Sequence, residues 1–274
     1  DDATGDKFYI TFQGGAPGTQ LDRIVIDGDK EGNGLGNGDT FFDTSAGGLG
    51  SFGAFPFTQI QANGFTITNI SVADGGTQLI LDFSGFDAGE QLVFSIDVDE
   101  QGFLQPNSIA EGREFEGAPF RAFFSAAHYF DIDGQDLFLD EYDDKLAEAA
   151  NAGFALNLPP DNYVPPASTD LKDFTAGAIF KLRQTPLPIT ISGTVFEDMN
   201  LNNDQDGSDP GIAGVNLTLF QKVGNDFVST GKTTTTNGSG FYKFEDVLPG
   251  EYQVRETQPS GYFSVGAAAG KVNG

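Results

Sequence analysis

The chain has 274 residues, with 40 acidic against 14 basic side chains and a formal net charge of −26. That charge repels phosphate backbones and anionic headgroups, which excludes nucleic acid and acidic membrane as partners. Cysteine is absent, so disulfides, thiolate nucleophiles and thiolate metal sites are excluded as well. Twenty-seven Phe, 37 Gly and no Trp, with short runs of Thr, Ile and Val, point to a mainly β protein of strands joined by tight turns. The length allows two domains with separate cores. No apolar run approaches the ~20 residues of a membrane span. The start Asp1-Asp2-Ala3-Thr4 carries no charged-then-apolar leader, so a mature, secreted product is expected.

Strand follows strand through the first half. Lys7 to Gln13 alternates Phe8, Ile10 and Phe12 with Tyr9, Thr11 and Gln13, and Leu21 to Asp27 is a more continuous apolar run. Gly64 to Val72, Gln78 to Phe83, Gln91 to Val98, Arg121 to Phe124 and Leu137 to Leu139 are further candidates, separated by Asp-Gly, Ser-Gly and Asp-Ala-Gly turns. In the pair at 78–98, Leu79 and Leu81, then Leu92, Phe94, Ile96 and Val98, are expected to share one core face, with Val93, Ser95, Asp97 and Asp99 opposite. With Phe41-Phe42-Asp43-Thr44 and Glu114-Phe115-Glu116-Gly117, this segment resembles β-sandwich modules of secreted bacterial surface proteins, a resemblance that implies no catalytic residues. One short helix is expected at Asp143 to Ala152, with acids in its first turn and Gly153 beyond its end. The paired prolines of residues 158–167 favour a stiff extended path, Ala176 to Arg183 reads as a returning strand, and Pro186-Leu187-Pro188 marks a boundary. These elements make residues 1–185 a jelly-roll-like β-sandwich domain.

Several polar clusters in this domain were weighed for chemistry. Asp131, Asp133 and Asp136 have a spacing that serves equally for a calcium-chelating turn and for a solvated one. The glycine-rich run Gly32 to Gly38 lacks the Lys-Ser/Thr ending of a phosphate-binding loop and reads as a surface loop. His128 is the sole histidine, and no Gly-x-Ser-x-Gly elbow accompanies it. Carboxylate pairs at glycosidase spacing arise in any chain this acidic, so their abundance is not a signal. No enzyme is expected.

Beyond the boundary, Ile191 to Leu219 reads as a strand, a loop of alternating oxygen-bearing side chains, and a second strand entered through Pro210-Gly211. Asp198, Asn200, Asn202, Asp206 and Asp209 fall at positions 1, 3, 5, 9 and 12, with the Asp204 carbonyl at position 7. These are the ligand positions of a calcium-binding EF-hand loop. Asn203 stands where an EF-hand has its turn glycine, Asp209 replaces the bidentate Glu, and strands rather than helices flank the loop. A hard cation needs six or more oxygens, and alternate residues of a curling backbone can aim them at one centre. Calcium is the expected ion.

The same stretch, continued through Gly211-Ile212-Ala213-Gly214-Val215, resembles the B-type repeats of serine-aspartate surface adhesins, relatives of the collagen-adhesin B-type immunoglobulin-like domains. The later run from Thr236-Asn237-Gly238 to Leu248-Pro249-Gly250-Glu251-Tyr252 and Glu256 is similar to that family's hairpin, corner and following strand. The resemblance covers residues 189–274. It implies a small calcium-stiffened, immunoglobulin-like β-sandwich serving as a spacer or assembly module on a cell surface, with Asp198, Asn200, Asn202, Asp206 and Asp209 as the matching ligands. Some relatives lock the fold with a Lys–Asn isopeptide bond beside a carboxylate placed like Glu256. The first strand here has no lysine, and the strand that closes such sandwiches is not found before Gly274, so that bond is not expected.

Two non-catalytic functions are compatible with these features. One is a calcium-stabilised structural subunit of a bacterial surface filament, sheath or surface layer, self-associating into a homopolymer by strand exchange with Asp1 to Gln13 as donor. The other is a fragment of a surface adhesin or a carbohydrate-binding module, with Tyr9, Tyr129, Tyr142 or Tyr163 stacking on sugars. The missing closing strand is read either as one that a neighbour supplies or as one lost by truncation.

Overall fold

The computed structural model describes residues 5–49, 54–102, 115–139 and 176–270, and the chain divides into two units, Asp1–Thr185 and Pro186–Gly274. All strands and no helix occur among the described residues; the helix expected at residues 143–152 and the proline-rich segment 158–167 lie outside them.

In the first unit the strands are β1 (Asp6–Thr11), β2 (Gln20–Asp27), β3 (Thr40–Phe42), β4 (Thr58–Ala62), β5 (Thr66–Val72), β6 (Gln78–Ser84), β7 (Gln91–Ile96), β8 (Val98–Glu100), β9 (Pro119–Ser125) and β10 (Ile132–Leu137). They form a five-stranded sheet in the order β10-β9-β2-β6-β5, a three-stranded sheet β1-β7-β4 and a two-stranded ribbon β3-β8. Alternation explains how the larger sheets share one core. On β6 every second residue turns inward (Leu79, Leu81 and Phe83), and on β2 Leu21, Ile24 and Ile26 do so across a register shift between Leu21 and Arg23, while β1 and β7 contribute Phe8, Leu92, Phe94 and Ile96 from the opposite sheet.

The abundance of Phe has its use here. Phe8 stacks on Phe94 at 4.9 Å and meets Phe115 edge-on at 5.4 Å, while Phe65 stacks on Phe86 at 3.9 Å. Each such ring pair adds about 0.5–1.5 kcal/mol beyond its buried area. On the outer face of β2 and β6, Arg23 and Asn69 donate to the Asp82 carboxylate. The Arg23 hydrogen bond, chiefly, holds that carboxyl below its ordinary range.

Five strand expectations need correction. Leu79 and Leu81 line the same core as Leu92 and Phe94, but β6 and β7 lie in opposite sheets rather than forming a pair. The run Gln91 to Val98 breaks at Asp97, where the chain leaves β4 and β1 to pair with β3. The strand expected at Leu137 to Leu139 lies earlier, at Ile132–Leu137, and Ala176 to Arg183 makes only an isolated bridge between Gly177 and Leu139. Finally, Asp6–Thr11 pairs in register with Gln91 to Ile96 and buries Phe8, so this stretch is part of its own core and not a spare donor strand.

The second unit contains β11 (Ile189–Thr194), β12 (Asn216–Val223), β13 (Asp226–Thr235), β14 (Phe241–Val247) and β15 (Tyr252–Glu256). They make a three-stranded sheet β13-β12-β15 and a two-stranded sheet β11-β14. The two-residue turn Gly224-Asn225 closes the β12–β13 hairpin, with Gly224 at φ 64°, a position that suits glycine as the first central residue of a primed turn. At the Leu248-Pro249-Gly250 corner the Tyr252 hydroxyl donates to the Leu248 carbonyl at 2.7 Å, a tyrosine pinning the chain reversal to its own strand.

The core between these sheets is small: Leu217, Leu219, Phe244 and Val247, flanked by half-buried Ile191, Val195, Tyr242, Tyr252 and Val254. A domain of this size with so little buried apolar surface has a narrow stability margin. Close backbone approach adds a second constraint. Gly211 bridges Phe196, and a Cβ on it would overlap the Ser239 carbonyl. Gly211→Ala is therefore expected to lower the melting temperature of the second unit by roughly 10 °C, from an overpacking cost of about 2 kcal/mol. Gly238→Ala, where a Cβ meets nothing within 4 Å, serves as the neutral control in calorimetry.

Candidate metal centre

The loop joining β11 to β12 is closed at its neck by the Phe196–Gly211 bridge and by the Glu197 amide donating to the Pro210 carbonyl at 2.9 Å. Inside the neck, side-chain oxygens organise the backbone. Asp198 accepts from the amides of Asn202 at 3.2 Å and Asn203 at 2.8 Å. Asn202 Oδ1 accepts from the Asp204 amide at 2.8 Å. Asp209, buried at 7 % exposure, accepts from Met199 at 3.0 Å and Asp206 at 3.1 Å and so ties both ends of the loop together. Leu201 at φ 58° and Asn203 at φ 65° are the left-handed residues that curl the chain around these acceptors.

Asn200, Asn202 and Asp206 converge. Asn200 Nδ2 lies 2.7 Å and Asn202 Nδ2 3.4 Å from Asp206 Oδ2. The Ser208 hydroxyl and amide, followed by Asn200, hold the Asp206 carboxyl below its ordinary value and favour the anion. A half-turn of each Asn amide exchanges nitrogen for oxygen at nearly the same place, which would line the concave side with oxygens only. In donor chemistry the loop therefore fits a hard cation. Its carboxylates are nevertheless not gathered: Asp198, Asp206 and Asp209 do not bring one oxygen each within 4.8 Å of one another. The Asp204 side chain is exposed, and its amide serves the loop through Asn202.

Asp131, Asp133 and Asp136 are not brought together either. Asp131 directly precedes β10, on which Asp133 pairs with Arg121 at 2.7 Å and Asp136 accepts from the Ile179 amide at 2.8 Å. In an extended strand, residues three apart point to opposite faces. The Gly32 to Gly38 loop is ordered from within, because Asp29 accepts from Asn33 and Gly34, and Asp39 from Lys30 and Gly36. His128 is exposed in the turn after β9, and Tyr9 and Tyr129 are half-buried; Tyr142 and Tyr163 lie outside the described residues.

A different carboxylate cluster escaped the sequence. Asp43, Asp97 and Asp99 each place an oxygen within 4.8 Å of the others, the one such set among the described residues. Asp43 directly follows β3, Asp97 occupies the break between β7 and β8, and Asp99 is the centre of β8. Asp43 and Asp97 are buried at 4 % and 3 % exposure. At an effective dielectric of about 20, two carboxylates this close repel by roughly 3 kcal/mol. Alternation places Asp97 and Asp99 on the face opposite Leu92, Phe94 and Ile96, and along β7 that face is covered too, with Val93 and Ser95 at 4 % and 3 % exposure. The partner, Asp43, lies more than fifty positions away, beyond the reach of any spacing rule.

Comparison with known proteins locates the second unit in a family. Residues 189–273 match the SdrD B-like domain. Serine-aspartate repeat-containing protein D of Staphylococcus aureus strain Newman is 46% identical over 68 residues, 25% of this chain and 5% of that protein. Serine-aspartate repeat-containing protein F of Staphylococcus epidermidis is 43% identical over 77 residues, 28% of this chain and 4% of that protein. The C-terminal region thus carries an SdrD B-like domain, and the chain matches only a small part of these relatives' length. Among solved structures, the BcpA major pilin subunit of Bacillus cereus aligns over 90% of this chain and 50% of its own at 12% identity, with a TM-score of 0.22. The group B streptococcus pilus 2b backbone protein aligns over 95% and 82% at 14% identity, also with a TM-score of 0.22. Scores this low do not show a shared arrangement of the whole chain. These relatives and neighbours are repeat-containing proteins and pilus subunits, not enzymes.

Proposed function

We propose that this chain is a structural module of a bacterial cell-surface assembly, in which calcium held by Asp198, Asn200, Asn202, Asp206 and Asp209, with the Asp204 carbonyl, stiffens the second unit. The observation that carries this reading is the loop of alternating Asp and Asn side chains clamped at the neck of a unit with a small core. Bound calcium supplies charge neutralisation and cross-links both ends of the loop. The chain contributes the rest: Asp209 fixes the base, Asp198 and Asn202 fix the curl, and Thr236 anchors the following segment by accepting from the Val215 amide at 2.9 Å and donating to the Ile212 carbonyl at 2.7 Å. No helix among the described residues is long and apolar enough to cross a membrane, and a secreted, surface-exposed location is part of the proposal.

Self-association follows from the sheet edges. Among the described residues β11 and β14 each have a single strand partner, leaving a row of backbone donors and acceptors on either side that a neighbour's strand can satisfy. Head-to-tail addition of this kind does not close on itself and builds a filament. Negative-stain electron microscopy of the full chain at one protein concentration, with calcium and after chelation, tests this directly. Filaments or sheets that disappear on chelation are the expected result. Monodisperse particles in both samples would overturn the assembly reading and favour an adhesin fragment or glycan-binding module, to be pursued on a carbohydrate array.

A further inference from the structure

We infer that Asp43, Asp97 and Asp99 form a second cation site, in the first unit, that takes a hard divalent ion such as calcium. It owes nothing to the loop at residues 198–209. The backbone sets the three carboxylates in place: the Asp43 amide donates to the Asp97 carbonyl at 3.1 Å, the Phe55 amide to the Asp43 carbonyl at 3.1 Å, and the Asp97 amide to the Phe55 carbonyl at 3.0 Å. Asp99 is fixed opposite Phe41 in the β3–β8 register.

A buried acceptor without a donor points to a ligand. Asp43 is 4 % exposed, and its Oδ1 is buried with no hydrogen-bond partner. A carboxylate oxygen in that position is costly unless a cation or a proton meets it. Asp74, whose Oδ1 accepts from the Thr44 and Ser45 amides, each at 2.9 Å, adds a further carboxylate beside Asp43.

The donor set selects the ion. Each of the three oxygens lies within 4.8 Å of the others, close enough for one cation to meet all three. Calcium accepts such a set in flexible geometry, whereas magnesium demands near-ideal octahedral geometry and gives up its water reluctantly. With oxygen donors only, the cluster favours calcium over softer transition metals.

The test uses the full chain carrying Asp198→Ala and Asp206→Ala, so that the loop is removed from the measurement. Isothermal titration with calcium should show one saturable equivalent, with magnesium binding at least tenfold weaker, and calorimetry should show the first-unit transition rising with calcium. On this background Asp43→Asn should weaken calcium binding at least thirtyfold. It should also cross over in stability, melting no lower than its parent in chelator, where one repelling charge has gone, and below it in calcium. Asp99→Asn, at a half-exposed position, should show the same loss of affinity and decides the matter if Asp43→Asn does not fold by circular dichroism. No saturable calcium uptake by the background chain, or uptake unchanged by both substitutions, would overturn the site. An Asp43→Asn chain more stable at every calcium concentration would show that a shared proton, not a cation, occupies the cluster. Failure of the loop reading is separately visible, as an absent second equivalent in the unsubstituted chain.

Discussion

Replacing Asp198 and Asp206 together with Ala is expected to abolish the calcium-dependent rise in melting temperature of the second unit, leaving its melting in chelator nearly unchanged. The size of the effect follows from mass action. Extracellular calcium modules bind with dissociation constants of about 0.1–1 mM, so about 10 mM calcium at the tight end is a hundredfold excess and stabilises by about 2.7 kcal/mol. In a domain of this size each kcal/mol moves the midpoint by roughly 4–8 °C, so a shift of about 10–20 °C should vanish in the double variant. Both residues are needed for a clean result. Asp198 holds the curl at Asn202 and Asn203, and Asp206 is the point on which Asn200 and Asn202 converge. Calorimetry that shows equal calcium shifts in the two proteins would remove the loop as the source of the stabilisation.

Phe86→Ala is expected to be the most damaging single change in the first unit. Phe86 is fully buried, stacks on Phe65 at 3.9 Å and meets Phe83 edge-on at 5.3 Å, with Phe12 tilted against it at 6.0 Å. Its carbonyl also receives the Leu21 amide at 2.9 Å, which fastens the β6–β7 connection to β2. Truncation leaves a ring-sized void and should cost about 4–5 kcal/mol. For a unit of this length that lowers the midpoint by roughly 10–15 °C, with the second-unit transition unmoved. Phe263→Ala, at a site 91 % exposed, should leave both transitions within about 1 °C, and serves as the control.

Local patterns were the most legible part of the molecule. β6 could be read because alternation maps directly onto burial when a strand has one core face, and β2 because its apolar run is nearly continuous. The Asp198 to Asp209 stretch could be read as a loop between two strands because its polar side chains and the turn into β12 are all local in the chain. The acidic run from Asp131 to Asp136 was misread because β10 is an edge strand: it packs little and tolerates charge on both faces, so it looks like a turn. Asp97 was misread for a different reason. β7 is buried on both faces, Val93 and Ser95 included, and alternation alone does not separate a covered second face from a solvated one. Pairing of β6 with β2 and β5 instead of β7 was hidden likewise, since partner choice depends on loops crossing between sheets.

A calcium-binding isotherm of the unsubstituted full chain, measured by equilibrium dialysis after exhaustive chelation, tests the central claim most directly. Saturable uptake that falls by one equivalent when Asp198 and Asp206 are replaced with Ala is the predicted result. Uptake that does not saturate, or that is the same in both proteins, would contradict a calcium-stiffened second unit.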